Sequence, residues 1–263
     1  MTPFAALHHA DPPLLLPNAW DHASALALAG LGFPAIGTTS LAVAAAAGLP
    51  DGESATREET LRLALVLGSQ PFLLSVDAEG GFSEDPDEVG EFARRLAAVG
   101  AVGINLEDGL GPAGRHAAKI AAVKRAAPGL FVNARTDTYW LGQGEKEAGD
   151  SEKWRETLSR LDTYQQAGAD GVFVPGLTDP ARIAALVARL GTPLNLLFSP
   201  AGPTVPQLAG LGVRRVSLGS LLYRRALGAA LEAMTGIRDG RAPEGRTPSY
   251  ADVQALGTPD PSA

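Results

Sequence analysis

The chain has 263 residues, 45% of them hydrophobic and 19% charged, with a formal net charge of −7 and no cysteine. This balance describes a globular chain with a core rather than a disordered one, and the negative charge argues against nucleic acid or an anionic membrane surface as partner. The absent thiols exclude disulfides, cysteine-ligated zinc and a thiol nucleophile or thiol acid–base group; with no apolar run of spanning length and no signal-peptide pattern, the expected location is cytoplasmic.

From the N-terminus onward, apolar runs alternate with helical stretches. Leu14 to Leu16 is a first short strand that ends at Pro17-Asn18, after which Asp21 reads as the N-cap of an Ala/Leu-rich helix closing at Gly30 or Gly32. His8 and His9, ahead of it, are expected in a mobile or edge segment. Ala35-Ile36 is a second strand, followed by Gly37-Thr38-Thr39-Ser40 and small residues to Gly48; a helix then opens at Ser54 or Thr56 with Glu58 and Glu59 in its first turn. Phe72 to Val76 is the third strand, and Asp85-Pro86 starts a helix to about Val99. Ala101 to Leu106 is the fourth strand, with a helix from about Arg115 to Ala126 whose Lys119 and Lys124 are expected on a solvated face. Leu130 to Asn133 is the fifth, followed by a polar loop from Gly142 to Asp150 and a helix to about Ala167. Gly171 to Val174, Pro193 to Phe198 and Val213 to Ser217 complete the strands, each followed by a helical stretch, the last reaching about Gly236. Eight strand–helix units in succession imply a parallel sheet with right-handed crossovers. The expected fold is a (β/α)8 TIM barrel over residues 1–236 with a C-terminal extension over 237–263, its active residues at the C-terminal ends of the strands; an open doubly wound sheet is the runner-up, which calls for a phosphate-binding glycine turn after the first strand, where Pro17-Asn18-Ala19-Trp20 stands.

Chemistry gathers just past the apolar runs. The third strand ends in Asp77-Ala78-Glu79-Gly80-Gly81, and residues two apart on an extended chain share a face. Asp77 and Glu79 therefore call for a compensating cation or proton. The fourth strand ends in Glu107-Asp108; the fifth carries Asn133, Arg135 and Asp137; the seventh carries Asn195; and Asp51 follows the second. Oxygen donors without cysteine or neighbouring histidine favour Mg²⁺, or Mn²⁺, over zinc at Asp51, Asp77, Glu79 and Glu107, with some of these acids binding through water. Arg135, at the end of a buried run, suits a carboxylate or phosphonate, or else a structural ion pair with one of these acids. Thr38, Thr39 and Ser40 offer hydroxyls and backbone N–H groups to a carboxylate. His116 stands at a helix start, and it and Glu107 are candidates to move a proton.

These motifs resemble those of the isocitrate lyase/phosphoenolpyruvate mutase superfamily from about Leu16 to Ala233. The carriers are Gly37-Thr-Thr-Ser-Leu-Ala-Val-Ala, Gly48-Leu-Pro-Asp51, Val76-Asp-Ala-Glu-Gly-Gly-Phe, Asn105-Leu-Glu-Asp-Gly, Asn133-Ala-Arg-Thr-Asp and Gly168-Ala-Asp-Gly-Val-Phe-Val-Pro-Gly. The resemblance implies a barrel that binds Mg²⁺ and a small 2-oxo acid at its mouth, with Asp77 touching the metal and Asp51, Glu79 and Glu107 reaching it mainly through water. It implies Arg135 on the substrate carboxylate, helped by Thr39, Ser40 and Leu41. It also implies a homotetramer, a dimer of dimers that exchange the last barrel helix. The chain departs from the family where lyases carry a Lys-x-Cys-Gly-His-type loop, reading Gly109-Leu-Gly-Pro-Ala-Gly-Arg-His116 instead, and it lacks the Lys and Asn of the mutases' longer loop. Glu79 also stands where Asp is usual. The expected activity is Mg²⁺-dependent C–C bond cleavage or formation in a small 2-oxo or 2-hydroxy carboxylate. An oxaloacetate-type decarboxylase, a P–C bond mutase or hydrolase, and a non-catalytic 2-oxo acid binding protein are the alternatives.

Overall fold

The strands are β1 (Leu14–Leu16), β2 (Asn18–Ala19), β3 (Ala35–Thr38), β4 (Leu73–Asp77), β5 (Ala101–Glu107), β6 (Phe131–Arg135), β7 (Gly171–Phe173), β8 (Leu194–Leu197) and β9 (Arg215–Ser217), in a computed structural model that describes residues 1–141 and 150–257. They run parallel in the order β1-β9-β8-β7-β6-β5-β4-β3-β2. Pro17 splits the first strand: β1 pairs with β9 and β2 with β3. A proline has no N–H for a ladder, but the Pro17 carbonyl accepts the Gly37 N–H at 2.8 Å. The interrupted strand thus closes the barrel, and the described strands and helices form the expected (β/α)8 architecture.

The helices are α1 (Pro3–Leu7), α2 (His22–Ala29), α3 (Ser40–Ala47), α4 (Arg57–Leu67), α5 (Pro86–Ala98), α6 (Ala113–Ala126), α7 (Asp150–Gln166), α8 (Pro180–Arg189), α9 (Val205–Gly210), α10 (Leu221–Arg238) and α11 (Tyr250–Ala255). α5 shows how sequence sets packing. Asp85 accepts the Asp87 N–H as cap and Pro86 fixes the first turn. Val89, Phe92, Ala93 and Leu96 then recur at helical spacing and are buried against the barrel, each large side chain contributing about 1.5–3 kcal/mol. α3 comes from the small-residue stretch: alanine is the best helix former, and Gly48 ends it in a left-handed conformation (φ 69°). Of the expected polar loop from Gly142 to Asp150, residues 142–149 lie outside the described residues, and Asp150 already begins α7.

Two expectations need correction. The segment holding His8 is neither mobile nor peripheral. Phe4 is fully buried, and its ring lies where a side chain at Gly103 would stand, 2.5 Å from an added Cβ. His8 is buried with its ring stacked on Phe131 at 4.1 Å. α1 thus stoppers the N-terminal end of the barrel. Lys119 is buried too: its Nζ donates to the Gly80 carbonyl at 3.0 Å, bracing the turn after β4. Lys124 is half-buried, with Nζ 2.7 Å from Asp170.

α10 ends the barrel with an uncovered side. Leu227, Leu231, Met234 and Ile237 recur along it and are exposed. No described helix is long and apolar enough to cross a membrane.

Candidate active site

The C-terminal strand ends enclose a well of about 480 Å³. Thr39, Ser40, Leu41, Asp51, Asp77, Glu107 and Arg135 line it, so these sequence-derived residues do converge. Asp77 ends β4, where the Thr38 hydroxyl accepts its N–H (2.8 Å) and the Ser40 N–H donates to its Oδ2 (3.1 Å). The first turn of α3 is thereby fixed against the carboxylate.

Arg135 ends β6 beside Glu107 at the end of β5, in register. Its Nη1 lies 2.5 Å from Glu107 Oε2, and Nε and Nη2 lie 2.7 and 2.6 Å from Asp137 Oδ1. The guanidinium is therefore held in a buried ion-pair cluster, the structural alternative raised by the sequence, while still lining the well.

Five expected residues stand outside the well's lining. The Thr38 hydroxyl is committed to the Asp77 backbone. Glu79 is buried, with Oε1 accepting the Thr56 hydroxyl (2.5 Å) and Oε2 the Ser54 N–H (3.0 Å). It ties down the loop that carries Asp51. Its left-handed backbone (φ 45°), like that of Phe82 (φ 61°), is sterically costly for a side-chain-bearing residue; these hydrogen bonds, and the Glu107 N–H donated to its carbonyl (2.9 Å), hold it there. Asn133 sits two residues before Arg135, about 7 Å deeper along the strand, and donates to Asn105 Oδ1 (2.8 Å). Asn195 is buried, and its Nδ2 donates to Ser217 Oγ (3.0 Å). His116 lines a smaller neighbouring cavity of about 250 Å³, which shares Glu107 with the well. Burial pushes its imidazole down to about 4, and its ring meets Tyr164 edge-on at 4.6 Å.

Sequence reasoning missed Asn105, Ser217 and Phe173, which line the well from within apolar runs. Their in-facing phase was the available signal. Asn18, a polar residue at the first strand tip, has a bracing role: Nδ2 donates to the Thr38 carbonyl, and Oδ1 accepts the Leu218 and Gly219 N–H groups.

Electrostatics sharpen the picture. Burial, then the charges of Asp77, Asp137 and Glu79, push the Glu107 carboxyl up to about 8 against the pull of Arg135. Burial also raises Asp137, Asp51 and Glu79, with neighbouring carboxylates adding to it. Around Arg135, negative charge exceeds what its guanidinium satisfies. Among the described residues, no three carboxylate or imidazole groups close around a point that could hold a metal. An oxygen-only, charge-crowded but open donor set fits a hard cation that keeps part of its water shell, as Mg²⁺ does, and does not fit zinc.

A family model described as phosphoenolpyruvate phosphomutase matches residues 4–238. An uncharacterised Mycobacterium tuberculosis protein is 43% identical over 257 residues, covering 96% of this chain and 95% of that one. The 2-methylisocitrate lyase of Bacillus subtilis is 28% identical over 284 residues, covering 96% and 90%. Among solved structures, a candidate lyase/mutase from Burkholderia cenocepacia J2315 superposes with a TM-score of 0.85 at 34% identity, over 98% of this chain and 95% of that one. A phosphonopyruvate hydrolase solved with oxalate and Mg²⁺ shares the fold at a TM-score of 0.81 and 24% identity, over 96% and 93%. By the extent of the family match, over residues 4–238, the chain belongs to the phosphoenolpyruvate phosphomutase family.

Proposed function

We propose that this chain is a Mg²⁺-dependent enzyme that cleaves or forms a C–C bond in a small 2-oxo or 2-hydroxy carboxylate, with charge developing on an enolate oxygen. One observation carries the reading: a guanidinium clamped by two carboxylates, that of Arg135, faces a group of crowded carboxylates in one well. Asp77 would hold the cation directly, and Asp51 and Glu107 through water. Glu79 supports from behind by fixing the loop of Asp51. Bound Mg²⁺ would supply a Lewis acid beside the substrate's carbonyl oxygen. Arg135 and the N–H groups at the start of α3 orient the carboxylate. Glu107, lining the well beside Arg135, is the carboxyl placed to carry a proton. Phe173, Leu197 and Phe198 give the well an apolar wall that limits water.

Decarboxylation of a 2-oxo diacid is the second reading. Among the described residues, no His, Lys or Tyr lines the well, and loss of CO₂ needs less acid–base equipment than retro-aldol cleavage. A panel of isocitrate, methylisocitrate, dimethylmalate, oxaloacetate and phosphonopyruvate, each with Mg²⁺ and with EDTA, separates the readings. Metal-dependent C–C cleavage of a hydroxy acid is expected. Turnover of oxaloacetate alone selects the second reading, and of phosphonopyruvate alone P–C chemistry. Mg²⁺-dependent binding without turnover makes this a binding protein and defeats both. The uncovered apolar side of α10 supports assembly into helix-exchanged dimers and a homotetramer; a monomer by light scattering at micromolar concentration would overturn that part.

A further inference from the structure

Below the well, the barrel interior holds a second arginine. Arg215 on β9 is 1% exposed and is the largest fully buried side chain in the described structure. Its Nε donates to Ser217 Oγ and its Nη2 to Asn105 Oδ1, both at 3.0 Å, while its buried Nη1 has no acceptor. Both acceptors are neutral. Asn105 Oδ1 is shared with Asn133, and among the described residues no carboxylate forms an ion pair with Arg215. A buried guanidinium without a contacting anion is expensive, so this charge invites a reason.

Its position supplies one. Ser217 and Asn105 both line the well, so the guanidinium lies one hydrogen bond beneath the floor. Asp77 is the carboxylate whose charge it senses from above. Below it, toward the α1 stopper, His8 is buried and shares the interior with it. In this low-dielectric interior the field is weakly screened and acts upward into the well.

We propose that Arg215 is a positioning residue that sets the charge of the well's floor, weakening capture of a bare divalent cation and strengthening capture of a dianionic 2-oxo acid beside that cation. The well then discriminates for substrate and cation together rather than for the cation alone. Arg215 touches neither, and acts through Asn105, Ser217 and its field. The inference rests on the reading of the well as a cation and carboxylate site.

The test measures two affinities of the full-length protein by calorimetry: Mn²⁺ alone, and oxalate at saturating Mn²⁺. The variants are Arg215→Met, Arg215→Gln and Arg215→Lys, with fold checked by circular dichroism and Tm. Arg215→Gln, which keeps a donor for the interior acceptors, carries the test where Arg215→Met does not fold. Loss of the charge is expected to tighten Mn²⁺ about tenfold and weaken oxalate about tenfold, and Arg215→Lys to restore both to within about threefold of wild type. A merely structural role moves both affinities the same way, or neither, and either result overturns the proposal. A wild type that binds no Mn²⁺ defeats the reading of the well itself and this inference with it; a wild type that binds both ligands, with opposite shifts absent in the neutral variants, defeats Arg215's role alone.

Discussion

Arg135 and Glu107 end adjacent strands in register and meet at 2.5 Å, yet the pair is not self-contained. Asp137 takes the other edge of the same guanidinium, and Asp77 lies near enough to raise both the Glu107 and the Arg135 proton affinities. Removing one partner of an isolated buried ion pair costs about 3–5 kcal/mol. Here the carboxylates outnumber the guanidinium, so removing Glu107's charge leaves Arg135 still paired to Asp137. The sign follows: the folded-state proton affinity of Glu107 is raised, so its charge disfavours folding increasingly as pH climbs from the ordinary carboxylate range to about 8. Glu107→Gln is expected to leave Tm at pH 8 in EDTA unchanged or raised, while abolishing turnover. Arg135→Met is expected to lower stability by about 3–5 kcal/mol. Denaturant titration of both variants checks the pair, and a loss in Glu107→Gln as large as in Arg135→Met counts against the crowding argument.

Asp77 has two supports that do not depend on its charge state. Its N–H is held by Thr38, and the Ser40 N–H reaches a carboxylate oxygen that an amide oxygen can replace. Asp77→Asn should therefore fold normally and lose at least about tenfold in Mn²⁺ affinity, the scale on which even supporting partners of a metal site act. Calorimetry decides: unchanged affinity rules Asp77 out as the direct ligand.

The strand–helix alternation and the strand ends were legible because turns are marked by Gly, Pro and capping residues, as Asp85-Pro86 and Asp179-Pro180 show. What the sequence does not carry is height along the barrel axis. In-facing phase is the same for Asn105 and Asn133, and the two are register partners, yet Asn105 lines the well and Asn133 does not. Height depends on the stagger that closes the barrel, and on the register shift between Leu74 and Ser75, neither of which local spacing encodes. The N-terminal stopper was invisible for another reason. α1 has five residues, too few for a period, and its value lies in one ring filling the space left by Gly103. Lys119 reads as surface by charge, but its long stem lets the ammonium reach the Gly80 carbonyl from a buried position.

The link between Glu79 and the loop of Asp51 gives a third expectation. Thr56→Val keeps the shape and removes the hydroxyl bonded to a buried carboxylate, a charged hydrogen bond worth about 1.5–3 kcal/mol. Residues 51–56 should exchange amide hydrogens faster while β4 and β5 keep their protection, and Mn²⁺ affinity should fall by less than in Asp77→Asn. Uniform loss of protection throughout the barrel would mean that Glu79 braces the core rather than the loop.

His8 gives the last expectation, in the opposite sense to Glu107. Burial, then the positive charge of Arg215, pushes its imidazole down to about 3, against the pull of the Phe4 carbonyl that its Nδ1 meets at 2.9 Å. A group depressed on folding contributes stability that is fully present above its unfolded value near 6.5 and is lost as pH falls toward 3. At pH 5 the loss is about 2 kcal/mol, which for a chain of this size is roughly 4–8 °C in Tm. Glu107 and the other raised carboxyls gain protons over the same interval and act the other way, so the wild-type profile alone does not isolate His8. The comparison with His8→Gln does: that variant removes the titrating ring and leaves the carboxylates in place. Its Tm is expected to fall less than the wild type's between pH 7.5 and 5, with the two profiles converging toward low pH. Parallel profiles would show that the stopper opens before His8 is forced to take a proton, and that α1 is held by Phe4 packing alone.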